Sequence, residues 1–109
     1  MPELAAELVH KESGLCIVPS GHRLARKRRI QARDLDGEPF ISLSSTDHTR
    51  AHVDAAFTPD RRRLTLETPY AATICTMVSM GLGVSVVNPM VVRCLPLPNV
   101  TALPFSPEV

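Results

Sequence analysis

A chain of 109 residues, 44% hydrophobic and 21% charged, has the composition of a soluble globular domain and the length for one core, not two. The formal net charge of +1 gives no overall field favouring nucleic acid or a membrane surface, and no apolar run is long enough to span a bilayer. The opening MPELAAELVHKE lacks the basic start and apolar centre of a secretion signal, so a cytoplasmic protein is expected.

Three cysteines, Cys16, Cys75 and Cys94, are odd in number and sit in apolar surroundings. They are expected to be reduced core residues. Residues 4–12 fit a strand or a helix, and the chain enters them without a cap or turn. Residues 14–19, GLCIVP, read as a short buried strand. Ser20, Gly21 and His22 turn into the basic segment RLARKRRI, and residues 34–37 read as a helical turn closed by Gly37. Residues 40–43 form a second strand, with Pro39 at the first position, which a strand tolerates.

Ser44 with Asp47 three residues on resembles a capping box. The helix it opens carries Thr49, Val53, Ala56 and Phe57 on one face and is stopped by Pro59. Residues 64–89, LTLETPYAATICTMVSMGLGVSVVNP, hold the best-punctuated unit of the chain. Leu64, Leu66 and the run Val84, Val86, Val87 predict short buried strands, and Ala71, Ile74, Cys75, Met77 and Val78 recur at helical spacing. Thr68-Pro69 predicts the helix start, as N-cap and first-turn proline, and Gly81 its left-handed end. Asn88-Pro89 repeats the opening signal for a short helix over 90–94. A proline-rich loop and a last strand over 100–105 follow. SPEV ends without a closing element, so the sequence is expected to be a piece of a longer chain. Strands alternating with helices predict a single α/β unit over 1–109, a three-layer sandwich with a mainly parallel sheet.

In such a sheet three helix starts fall at one edge, beyond the carboxyl ends of their strands, where ligands of open α/β sheets bind. Ser44, Ser45, Thr46, Thr68 and Asn88 bring short uncharged polar groups there, beside free helix N–H groups suited to a carboxylate or phosphate. Each of these residues could instead do no more than cap its own helix; the convergence of three starts is the stronger sign. His48 and His52 lie four apart but lack a third ligand or the glutamate of a zinc-protease helix, so they read as surface or packing residues. The basic run Arg23, Arg26, Lys27, Arg28, Arg29 has no interleaved aromatics and is diluted by Asp34, Asp36 and Glu38; it reads as a solvated surface. Gly81-Leu82-Gly83 follows a helix and precedes a strand, the reverse of the dinucleotide fingerprint. No nucleophile elbow, phosphate loop or carboxylate pair is present. No catalytic residue, metal or cofactor is expected.

The segment CIVPSGHRLARKRRIQARDLDGEPFISL resembles the effector-binding domain of LysR-type transcriptional regulators. There a strand ends in proline and is followed by a His-x-Leu-Ala turn, a basic stretch, Asp-Leu and Gly-Glu-Pro-Phe-Ile. Glu67-Thr68, Met77-Val78, Gly81-Leu82-Gly83-Val84 and Val87-Asn88-Pro89 match the same domain, and the wording is similar to regulators of the octopine and nopaline catabolism type. The resemblance spans roughly residues 14–105. It implies a fold like the type 2 periplasmic binding proteins, two α/β subdomains flanking a ligand cleft, with this sequence matching the second. The first subdomain and the DNA-binding winged helix-turn-helix lie outside it. The resemblance also implies cleft contacts from Ser42, Ser44, Ser45, Thr68 and Tyr70, a small-molecule effector as partner, and pairing of effector domains side by side. The function expected is therefore effector binding that modulates transcription. The alternative is an oligomerisation module that binds no ligand, and an enzyme is the least favoured reading.

Overall fold

The computed structural model describes residues 14–45, 47–94 and 98–106. Strand β1 (Leu15–Pro19) is apolar on both faces: Cys16 and Val18 enter one core and Ile17 the other. A strand of that kind belongs inside a sheet covered on both sides. It pairs antiparallel with β6 (Val100–Ser106), Leu15 facing Pro104, and antiparallel with β5 (Ser85–Val87), Leu15 facing Val87. The short β2 (Ile30–Gln31) adds in parallel to the outside of β6. Beyond β5 lies β3 (Pro39–Leu43), joined to it by a parallel bridge between Phe40 and Val84. Ile41 N–H to Val84 O and Val84 N–H to Pro39 O, both 2.9 Å, close that bridge. Strand β4 (Arg63–Thr68) pairs in parallel with β3 and forms the far edge.

Five of these strands run one way and β1 alone runs the other. The sheet is therefore mostly parallel in direction, as the alternation of strands and helices predicts, but both pairings of its central strand are antiparallel. An apolar pentapeptide carries no signal of direction. That is set by β5 and β6, which arrive from the far end of the chain.

Helix α1 (His48–Ala55) and two 3₁₀ helices, Arg23–Arg26 and Ala32–Leu35, cover one face of the sheet. Their Val53, Leu24 and Leu35, with Phe57 just past α1, pack on Phe40, Val84 and Val86. Helix α2 (Ala71–Ser79) and α3 (Pro89–Cys94) cover the other, where Ile74, Cys75 and Val78 meet Ile17, Ile41 and Val87. Two apolar cores around one sheet make the three-layer α/β sandwich. Each fully buried isoleucine in them contributes about 1.5–3 kcal/mol. Cys16 and Cys75 are free and buried, and burial pushes the Cys16 thiol up to about 12. Among the described residues no helix is long and apolar enough to cross a membrane.

The end of α2 is a Schellman motif: Gly81, at φ +81°, sends its N–H to Val78 O at 2.9 Å, and Leu82 N–H reaches Met77 O at 3.1 Å. The helix starts differ from expectation in two places. The N-cap of α1 is Asp47, whose Oδ1 accepts Thr49 N–H at 2.7 Å; Ser44 only accepts Asp47 N–H on its carbonyl, at 3.0 Å. A carboxylate three residues nearer the helix outcompetes the serine for the free amide. Helix α2 begins at Ala71 with Tyr70 as N-cap, because Thr68 still pairs with Leu43 as the last residue of β4.

Leu64 and Leu66 are not buried: they are 42% and 36% exposed. The register slips between Phe40, opposite Leu64, and Ile41, opposite Leu66, leaving Thr65 without a partner. The slip sends the two leucines to opposite faces of an edge strand, where neither helix layer fully covers them. The expectations for residues 4–12 and for Thr46 lie outside the described residues, as do the side chains of His48 and Cys94.

Candidate effector-binding edge

Strands β5, β3 and β4 are neighbours and run the same way, so the loops that follow them emerge at one edge of the sheet. Those loops are Asn88-Pro89, Ser44-Ser45 and Thr68-Pro69-Tyr70. Two of them are joined directly, Ser44 N–H donating to Thr68 O at 3.1 Å. Ser44 is half-buried, and Ser45, Tyr70 and Asn88 are exposed. Thr68 is buried, and its Oγ1 accepts Tyr70 N–H at 3.3 Å. Asn88 Oδ1 accepts Met90 N–H at 2.8 Å, so Asn88 and Pro89 do open α3 as N-cap and first-turn proline. Ser42 is placed apart from the rest. It is 4% exposed and lines a cavity of about 10 Å³ beneath α1, with Phe40, Val53 and Ser85, which is room for one water.

The three helix starts are not equivalent. At α1 the Asp47 carboxylate already satisfies an amide and opposes the positive helix end. At α3 Asn88 does the same without a charge. At α2 the N-cap Tyr70 makes no side-chain hydrogen bond and the first turn holds no acid. The start of α2 is the one of the three left open, beside an exposed phenol.

Sequence reasoning missed Arg50. It lies on α1 and is 13% exposed; its Nη1 donates to Leu43 O at 3.2 Å and pairs with the Glu67 carboxylate, and its Nε donates to Asp54 Oδ2 at 3.1 Å. The Glu67 hydrogen bond holds its pKa above the usual guanidinium value, burial opposing and Asp54 assisting. The signal available in the sequence was the four-residue spacing of Arg50 and Asp54 on a helix. Leu43 and Glu67 immediately precede Ser44 and Thr68, which puts a guanidinium just behind an otherwise uncharged set of edge side chains.

Asp54 extends this pairing. Its Oδ1 accepts from Arg62 Nη2 at 2.8 Å, and Arg62 also binds Asp60 at 2.6 and 2.9 Å. The Arg62 guanidinium lies 3.9 Å from the Phe57 ring centroid and 4.6 Å from that of Phe40. The basic segment nearer the start of the chain is partly neutralised: Arg23 pairs with Glu38 at 3.0 Å and Lys27 with Asp34 at 3.1 Å. His22 Nδ1 accepts Leu24 N–H, and its Nε2 lies 2.6 Å from Glu38 Oε1. His52 is exposed.

The family model for the LysR substrate binding domain matches residues 1–109. The chain is 46% identical over 78 residues to the transcriptional activator protein LysR of Escherichia coli K12, a match covering 70% of this chain and 25% of that protein. It is 34% identical over 113 residues to the regulatory protein NocR of Agrobacterium tumefaciens T37, covering 99% of this chain and 37% of that one. Among solved structures, the Synechocystis CcmR regulatory domain in complex with 2-PG superposes with a TM-score of 0.78 at 24% identity, covering 88% of this chain and 48% of that chain. The fold is thus that of LysR-type regulatory domains, which is like the periplasmic binding proteins. The chain spans a quarter to somewhat over a third of the length of these curated relatives, which are transcriptional regulators and not enzymes. With a family model matched along its whole length, the chain belongs to the LysR substrate-binding domain family.

Proposed function

We propose that this chain is the second subdomain of the effector-binding part of a LysR-type transcriptional regulator, working in the cytoplasm. It forms one wall of a cleft that binds a small polar metabolite, a carboxylate or an amino-acid derivative. Ser44, Ser45, Thr68, Tyr70 and Asn88 face that metabolite, and Thr46 belongs to the same loop as Ser44 and Ser45. Ser42 supports the wall from behind, through the layer under α1. Binding shifts how the two subdomains, and the subunits, sit against each other. DNA is contacted only through a domain outside this chain.

The observation that carries the reading is the convergence of three strand-to-helix loops at one edge, with the start of α2 open. CcmR, which shares the fold, was solved in complex with 2-PG. The test is a thermal-shift screen of organic acids and amino acids against the effector domain, with a Ser44→Ala, Thr68→Ala double variant beside it. A ligand that raises the melting temperature of the parent and not of the variant supports the assignment. Equal shifts in both would remove these residues from the site.

A second reading, self-association, is favoured by the apolar surface left uncovered along β4 and just past the carboxyl end of α2: Leu64, Leu66, Met80 and Leu82. It does not compete with effector binding and is tested by oligomeric state.

A further inference from the structure

We propose that Arg50 reads ligand charge at this edge: an anionic group of the ligand takes the Arg50 guanidinium over from Glu67, so ligands bringing a carboxylate there are selected over neutral ones. This rests on the effector reading above and adds to it the selecting residue and the charge selected.

Arg50 is a fixed cation with an exchangeable partner. It is fixed because Nε is held by Asp54 at 3.1 Å, and Asp54 is held in turn by Arg62 at 2.8 Å. The Arg62 side chain is 1% exposed and its guanidinium carbon lies over two phenylalanine rings, so this end of the chain of charges has nowhere to go. The bond from Nη1 to Leu43 O adds a backbone anchor one residue before Ser44. Glu67, by contrast, is 51% exposed on the outermost strand. A carboxylate so placed loses little by turning into water. Among the described residues Arg50 Nη2 has no hydrogen-bond partner, which leaves one side of the guanidinium fork open. The other acid near this edge, Asp47, is engaged with Thr49 N–H. A ligand carboxylate can therefore form charge-assisted, two-pronged bonds with Arg50 while Glu67 swings out. A neutral ligand has no means of displacing it.

The test titrates the intact chain with succinate and glutarate, and separately with their diamides, which match them in size and carry no charge. Nitrogen–proton correlation NMR follows the amides of Ser44, Ser45, Thr68 and Asn88 together with the side-chain Nε–H of Arg50. The acids are expected to move the edge amides and the Arg50 signal along one saturable curve, and the diamides to move neither. Glu67→Gln removes the competing charge at an exposed position and so keeps the fold. It is expected to tighten acid binding roughly tenfold, the scale of one charge-assisted hydrogen bond. Arg50→Lys, which keeps the charge and loses the fork, is expected to weaken it by a similar factor. Edge amides that respond equally to acids and diamides, or a Glu67→Gln chain that binds acids no better than the parent, overturn the role of Arg50 and leave the effector edge standing. Amides unmoved by both kinds of probe overturn both.

Discussion

Arg62 carries a full charge into a place with almost no water, and its surroundings explain why it stays there. Burial alone would push its proton off; Asp60 and Asp54 more than offset this and hold its pKa above the usual value. The guanidinium carbon lies over the faces of two core rings, Phe57 and Phe40, and only Nη1 lacks a partner among the described residues. The acids that Arg62 binds are 36% and 40% exposed and can hydrate without it, so what Arg62→Ala removes is mainly a buried side chain packed on two rings and its hydrogen bonds. It is expected to lower stability by about 1–3 kcal/mol, read from urea unfolding. A loss under about 1 kcal/mol would mean that this packing and these hydrogen bonds contribute little.

The same pairing makes stability depend on acid. Arg62 foremost, against burial, holds the Asp60 carboxyl below its ordinary 3.8. Glu38, where burial opposes the hydrogen bonds of His22 and Arg23, lies below its ordinary 4.5. Groups with folded values below their unfolded ones contribute stability that is present above the unfolded value and lost as pH falls through the folded one. The urea midpoint is expected to hold steady from neutrality to about pH 5 and to decline below about pH 4. An Asp60→Asn chain should show a shallower decline, and an unchanged acid limb in that variant would assign the loss to other carboxylates.

At the scale of elements, what the sequence made legible is the punctuation and what it hid is the pairing. Gly81 and Asn88-Pro89 act through their own backbone, so they read correctly from three or four neighbouring residues. The antiparallel direction of β1, the slip at Thr65 and the exposure of Leu64 and Leu66 all depend on partners distant in sequence, and no local pattern holds them. The edge was legible for the same reason as the caps. Arg50 was not, because its partners Leu43 and Glu67 come from two other elements. Gly83 shows the contrast within one motif. It follows Gly81 closely but is needed for contact, not for its own backbone angle: a Cβ there would stand 2.7 Å from Pro39 O, the carbonyl that accepts Val84 N–H. Gly83→Ala is expected to part β5 from β3 and to lower the melting temperature by several degrees, on the order of 1–3 kcal/mol. At Gly81 the same substitution meets open space and strains only the left-handed turn, with an expected loss of about 1 kcal/mol. Thermal unfolding of the two variants side by side separates them, and equal losses would refute the contact argument at Gly83.

At the scale of the molecule, the two edges of the sheet are unequal. At one side β2 is only two residues long and Ile30 is buried, so it offers a partner little. At the other, β4 has six residues and among the described residues pairs only with β3, which leaves its outer side and two leucines uncovered by them. A long, exposed, partly apolar edge strand is a template for another chain. Its charges, Arg63 and Glu67, blunt it at the ends and leave the middle, Leu64 to Leu66, without a charge. The slip at Thr65 puts one leucine on each face, so a docking partner would bury apolar surface on both sides of the sheet. Sedimentation velocity over a range of concentrations is expected to show the parent chain moving from monomer to a larger species. Leu66→Lys, which places a charge in the middle of that strand at an already exposed position, is expected to hold the chain monomeric with its fold intact by circular dichroism. A parent that stays monomeric at the highest concentration, or a Leu66→Lys chain that associates as the parent does, would move the contact off this edge. The proposed ligand edge and the proposed docking edge meet at β4, where Glu67 pairs with Arg50 and its neighbour Leu66 lies on the other face of the strand. Release of Glu67 by a ligand would therefore loosen the strand on which a partner docks, linking occupancy of one edge to assembly at the other. The checking measurement is the same sedimentation series repeated in Glu67→Gln, where a changed association constant is expected.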